Sequence, residues 1–143
     1  FTRLRAERRV DEPLFAGIAG VLDTLDAGGW LLGVATGKSD FGLALCLERH
    51  GLGRRFVTLQ TADRHPSKPD PSMALTALAE AGAAPETSVM IGDTRFDIAM
   101  AKAAGMMAVG VAWGYHSADE LRAAGADRVA VHPEELTMLL ERL

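Results

Sequence analysis

Four times along this chain a glycine ends a stretch of helical period and a short apolar run follows. Ala27-Gly28-Gly29 precedes Trp30–Ala35, Gly51 precedes Phe56–Gln60, Gly82 precedes Ser88–Ile91 and Gly105 precedes Met107–Ala112. Glycine is the residue that best tolerates the left-handed turn closing a helix, so each marks a helix-to-strand boundary. Strands that alternate with helices in this way pair side by side and in parallel, because each crossover helix returns the chain to the same end of the sheet. The pattern predicts an α/β domain with strands at Trp30–Ala35, Phe56–Gln60, Ser88–Ile91, Met107–Ala112 and Arg128–Val131. Helices are predicted near Glu12–Ala27, Phe41–His50, Pro71–Ala81, Arg95–Ala104, Ala118–Ala123 and Pro133–Arg142. Pro71 and Pro133 suit a first helical turn, where the missing N–H costs nothing.

A sheet covered on both faces needs apolar residues, and 48% of the 143 residues are apolar against 24% charged. That suits one globular domain of residues 1–143. A net charge of -4 gives no footprint for nucleic acid, so no nucleic-acid partner is expected. Arg3, Arg5, Arg8 and Arg9 form the one basic cluster, which Glu7 interrupts, and they read as a solvated helix or tail. The single cysteine, Cys46, excludes an internal disulfide and sits among apolar residues, consistent with burial and a cytoplasmic setting. No apolar run reaches membrane-spanning length, so no membrane partner is expected.

Ligands of open α/β sheets bind beyond the carboxyl ends of the strands, and three tips carry groups of interest. After the third predicted strand comes Gly92-Asp93-Thr94-Arg95-Phe96-Asp97. Asp93 at the tip and Asp97 four residues later point their carboxylates to one side of a helix start, where a hard divalent cation would relieve their repulsion. The competing structural reading is that Asp93 caps the helix and Asp97 is solvated. After the first strand, Thr36 and Gly37 offer a hydroxyl and a backbone N–H for an anion; the alternative is a simple Thr or Ser cap. Gly37-Lys38-Ser39 is not a P-loop, since the spacing would need glycine where Leu32 stands. After the second strand, Lys68 is held between prolines in Ser67-Lys68-Pro69-Asp70-Pro71 and could pair with a phosphate. A hydroxyl, an ammonium and two carboxylates at neighbouring tips make a set that one small phosphate could touch. His50, His65, His116 and His132 lack metal-ligand spacing and read as surface or loop residues. Trp113-Gly114-Tyr115 reads as pocket rim or core.

Thr36, then Lys68 in KPDP, then Asp93 and Asp97 in GDTRFD, resemble in order and placement motifs II, III and IV of the haloacid dehalogenase (HAD) superfamily. The run IGDTRFDIAMAKAAGMMAVGVAWG, followed by SADELRAAGADRVAVHPEEL, is similar to its phosphoglycolate-phosphatase-like group. The resemblance implies a three-layer α/β/α Rossmann-like core with a mostly parallel sheet. It implies hydrolysis of a small phosphomonoester with Mg2+, through an aspartyl-phosphate. Thr36 and Gly37 would then bind phosphate, and Lys68 would steady phosphate and nucleophile. Asp93 would ligate the metal, and Asp97 would be the second acidic metal residue, orienting its water shell.

The family's DxDGT motif I, which supplies the nucleophile and the general acid and base, has no counterpart here: no DxD occurs in the chain. Asp23 and Asp26 fall inside a predicted helix and cannot replace it. The expectation is therefore a partial HAD core whose central motif I strand is missing, with residues 1–12 as the end of a cap or hinge. Such a chain, beginning at Phe1, would belong to a longer protein and be inactive by itself. A gap at the sheet centre, unpaired backbone on both sides of it and homo-oligomerisation through an exposed sheet edge follow from the same reading. Two other readings compete. A non-catalytic phosphate- or metal-binding domain would act with a partner, and a phosphoacceptor receiver domain would have its acidic pair first and lysine last, the reverse of the order here.

Overall fold

The computed structural model describes residues 2–4, 18–52, 55–114 and 116–141. Six parallel strands form one sheet: β1 (Thr2–Leu4), β2 (Leu32–Ala35), β3 (Phe56–Gln60), β4 (Val89–Gly92), β5 (Met107–Val111) and β6 (Arg128–Ala130). Helices α1 (Ile18–Ala27), α2 (Asp40–Arg49), α3 (Ser72–Ala81), α4 (Arg95–Ala103), α5 (Ala118–Ala123) and α6 (Glu135–Glu141) alternate with them. A short 3-10 turn at Pro85–Thr87, not foreseen from sequence, leads into β4. Five strands fall where the apolar runs predicted them, trimmed by one or two residues at some ends, with β4 set one residue later, at Val89–Gly92 rather than Ser88–Ile91. The first helix begins at Ile18 within the described residues; its predicted start at Glu12 lies outside them, as does Arg142 at the end of α6.

The strand order is β3-β2-β1-β4-β5-β6. β1 pairs in parallel with β2, Thr2 opposite Leu32, and with β4, Thr2 opposite Val89. The expected gap at the sheet centre is thus not there. No DxD occurs in the chain, and the backbone donors and acceptors of β2 and β4 find partners in Thr2–Leu4, which satisfies groups that would be costly to bury unpaired. Arg3 accordingly lies in a strand rather than in a helix or tail, and Arg5, Arg8 and Arg9 lie outside the described residues. With the centre filled, the sheet's outer strands are β3 and β6.

Strand side chains alternate between faces, and the two hydrophobic cores follow that period. Val89 and Ile91 of β4, with Val109 and Val111 of β5, pack with residues of α1, α2 and α6, including Leu22, Leu43 and Leu136. Met90 and Ala108, on the opposite face, pack with Met73 and Leu78 of α3, Ile98 and Met100 of α4, and Leu121 of α5. Both faces are covered, as expected of a three-layer α/β/α domain. Cys46 is buried on α2. Gly82 closes α3 in the left-handed region, φ 66°, where a side chain would be strained. The chain runs outward from the centre in one direction through β2 and β3 and in the other through β4, β5 and β6. That reversal puts a crevice between the tips of β2 and β4. No described helix is long and apolar enough to cross a membrane.

Candidate active site

At the tip of β4 the chain turns directly into α4. Thr94 is the N-cap: its hydroxyl accepts from the Asp97 N–H at 3.2 Å, and Asp97 Oδ2 accepts from the Thr94 N–H at 3.2 Å and from its hydroxyl at 3.0 Å. This is a reciprocal capping box. The cap is therefore Thr94 and not Asp93, and Asp97, with no exposed surface, is not a solvated residue. The box is possible only because residue 92 is glycine: a Cβ there would lie 2.2 Å from Asp97 Cβ and 2.7 Å from Oδ2. Asp93 is 8% exposed and sits against a second glycine, Gly114, whose added Cβ would meet Asp93 Oδ2 at 2.4 Å. Both glycines are required by a side chain arriving from elsewhere in the chain.

The Lys68 side chain, nearly buried, donates to Asp97 Oδ1 and, at 3.2 Å, to the carbonyl of Ala35 at the end of β2. One ammonium thus touches two strand-tip segments from the loop that follows a third. A buried ion pair gains little net stability unless its remaining polar atoms are satisfied, and here the second carboxylate oxygen takes both Thr94 bonds. The pair fixes where the positive charge stands.

Thr36, fully buried beside Ala35, gives its N–H to the Gln60 carbonyl at 3.0 Å. Its hydroxyl oxygen accepts from the Lys38 N–H at 3.2 Å, leaving the hydroxyl hydrogen to donate. Ser39, not Thr36, caps α2 by accepting from the Gly42 N–H at 3.0 Å. The helix starts at Asp40, so Thr36 and Gly37 belong to the loop before it rather than to its first turn. Gly37, Ala62, Ser67, Lys68, Met73, Thr94 and Phe96 line a cleft of about 250 Å³ at this end of the sheet. Three of the residues picked from sequence are thus brought together, Lys68 bonding Asp97 and sharing the cleft with Gly37, whereas Thr36 and Asp93 are not among the residues that line the cleft.

A clasp joins the start of α2 to the loop after β3. Thr61 donates to Asp40 Oδ1 at 2.6 Å, Asp63 Oδ2 accepts the Asp40 N–H at 2.7 Å, and Arg64 lies 3.3 Å from Asp40. The Thr61 hydrogen bond, joined by the Arg64 charge, holds the Asp40 carboxyl below its ordinary pKa against a smaller opposing effect of desolvation. Glu120, bonded to the Ser117 N–H in the α5 capping box, is lowered for a similar reason.

Two histidines are more engaged than their sequence context suggested. His116 gives its N–H to the Asp93 carbonyl at 3.2 Å, and its Nδ1 accepts the Arg95 N–H at 2.8 Å, satisfying an open donor of the first turn of α4. His65 is partly buried and bonded through both ring nitrogens. Neither had a sequence signal beyond lying near a motif. Trp113 packs on the core rather than forming a rim, and Tyr115 lies outside the described residues. Asp23 pairs with Arg55, remote from the cleft residues.

Magnesium commonly takes one or two carboxylates and keeps several waters. Both Asp97 oxygens accept hydrogen bonds, from Lys68 and from Thr94, which suits Asp97 to orienting a metal's water shell rather than to ligating the ion directly. Among the described residues no three His, Cys, Asp or Glu side chains are grouped to hold a metal.

The family model of haloacid dehalogenase-like hydrolases matches residues 5–111. A protein named "Probable phosphatase IndB" from Dickeya dadantii is 43% identical over 113 residues, covering 78% of this chain and 49% of that protein. A phosphoglycolate phosphatase of Agrobacterium fabrum is 34% identical over 115 residues, covering 80% of this chain and 49% of its own. The crystal structure of a hydrolase from Pseudomonas syringae superposes with a TM-score of 0.82 at 28% identity, covering 90% of this chain and 59% of that one. The chain spans about half the length of the curated relatives it matches.

Proposed function

The chain belongs to the haloacid dehalogenase-like hydrolases, and from that premise we propose that the whole protein is a magnesium-dependent phosphatase acting on a small phosphomonoester of the phosphoglycolate kind. The observation that carries the reading is the Lys68 ammonium held between Asp97 and the Ala35 carbonyl, beside Thr36 and the cleft. A cation fixed in a water-poor crevice by a carboxylate and a carbonyl is pre-organised for a phosphate, whose charge it meets without reorganisation. The Thr36 hydroxyl and the Gly37 N–H donate to phosphoryl oxygens, and Asp97 keeps Lys68 in place through turnover. Asp93 would hold Mg2+, and the bound ion would supply neutralisation of charge on the transferring phosphoryl group. The aspartate that attacks phosphorus, forming an aspartyl-phosphate that water later cleaves, comes from a segment outside these 143 residues. Without it the chain is inactive.

The test is hydrolysis of p-nitrophenyl phosphate by the full-length protein, with and without magnesium. Magnesium-dependent turnover that Asp93→Asn lowers by about a hundredfold or more supports the reading. Zero turnover, indifferent to that substitution, would favour a non-catalytic binding domain.

A further inference from the structure

The loop from Thr61 to Pro71 carries Lys68; its Arg64 N–H bonds to Thr61 and its Asp70 N–H to Ser67, and only at its start does a backbone bond reach another segment, Ala62 N–H to the Lys38 carbonyl, among the described residues. Prolines at 66, 69 and 71 remove three further donors. His65 bridges the base of this loop. Its Nε2 lies 2.7 Å from Gln60 Oε1 at the end of β3, and its Nδ1 lies 2.7 Å from Ser72 Oγ at the start of α3. The Gln60 amide nitrogen donates to Thr58 Oγ1 at 2.9 Å, and Thr58 donates to Glu80 Oε1 at 2.7 Å. The order of donors assigns the tautomer. Gln60 presents its carbonyl to the ring, so Nε2 carries a hydrogen, and in the neutral ring Nδ1 then accepts from Ser72. Five side chains thus form one chain of hydrogen bonds running the same way, from Ser72 through His65, Gln60 and Thr58 to the Glu80 carboxylate. Such chains strengthen their members mutually, and Gln60 and Thr58 are buried where an unmet partner is costly.

We propose that His65 is a positioning residue for Lys68: its ring pins the loop to β3 and α3, and so sets where the ammonium stands relative to Ala35, Asp97 and the phosphate. The role rests on the phosphatase reading for its catalytic consequence but not for its structural one. A misplacement of about an ångström at a catalytic group can cost a hundredfold in rate, so the loss expected without the ring is about ten- to a hundredfold.

The test is a double-mutant cycle in the full-length protein, using p-nitrophenyl phosphate with magnesium at a temperature where every variant is folded. His65→Ala should lower kcat/KM by about ten- to a hundredfold. In a Lys68→Met background it should cost less than about twofold further, because its effect passes through the lysine. His65→Gln, whose amide nitrogen reaches the place of Nε2, should recover most of the loss. Equal losses in both backgrounds overturn the proposal. Amide hydrogen exchange of Lys68 and Asp70 reads the structural half independently of turnover. Exchange should quicken at least about tenfold in His65→Ala as the loop loses its tie, and unchanged exchange overturns the proposal even if the unsubstituted protein proves inactive. Inactivity of the unsubstituted protein counts against the phosphatase reading alone.

Discussion

Two substitutions of the same chemistry should have opposite signs here. Gly20→Ala adds a methyl group in α1 where nothing lies within 4 Å, whereas Gly92→Ala adds one 2.2 Å from Asp97 Cβ and 2.6 Å from its Cγ. At Gly20 the change removes conformational freedom from the unfolded chain and raises helix propensity, stabilising by about 0.5–1 kcal/mol. At Gly92 the start of α4 must move away from the β4 tip. Overpacking of this kind costs about 1–3 kcal/mol. Losing the Thr94–Asp97 box adds about 1 kcal/mol, and a displaced Asp97 weakens its buried bond to Lys68. The net loss should be about 3 kcal/mol, or roughly 10 °C in Tm for a domain of this size. Urea denaturation of both variants, compared at equal m-value, measures the difference. A Gly92→Ala loss below about 0.5 kcal/mol would refute the reasoning, because the close approach of Asp97 would then not be what demands the glycine.

Gly114→Ala places a methyl group 2.4 Å from Asp93 Oδ2. It should raise the magnesium concentration for half-maximal activity about tenfold or more, as disturbed support of a metal ligand does, and a magnesium titration of turnover checks it. Asp127 offers a pH-dependent case away from the cleft. Desolvation raises its pKa, but the hydrogen bonds from Lys102 at 2.5 Å and the Ala108 N–H at 2.8 Å, with the charges of Lys102 and Arg128, outweigh that and leave it lowered. A carboxyl whose folded pKa is depressed stabilises the protein above its unfolded value of about 3.9 and loses that contribution as pH falls through the folded pKa. The stability gap between the protein and Asp127→Asn should therefore hold constant from pH 7 to about 5 and shrink below about pH 4, as denaturation at several pH values would show.

The elements were legible because the chain punctuates them locally. Gly51, Gly82 and Gly105 each take positive φ where a strand is about to begin, and buried strands such as Val89–Gly92 are apolar on both faces. The order of Thr36, Lys68, Asp93 and Asp97 was legible because each lies in the segment that follows such a strand. Less visible was anything set by the meeting of distant segments. Nothing next to Gly92 or Gly114 in sequence announces that an aspartate side chain will press on it. His65 looks like a loop residue until Gln60 and Ser72 converge on its ring. Thr2–Leu4 is too short and too charged in its surroundings to announce a central strand, and its place follows from the need of β2 and β4 for a backbone partner between them.

The central claim is that Lys68, fixed by Asp97 and Ala35, is the charge that receives the phosphate. The most direct measurement is the kcat/KM of the full-length protein for p-nitrophenyl phosphate with saturating magnesium, before and after Lys68→Met. The account predicts a fall of at least about a hundredfold in folded protein. Turnover unchanged by the substitution would contradict it.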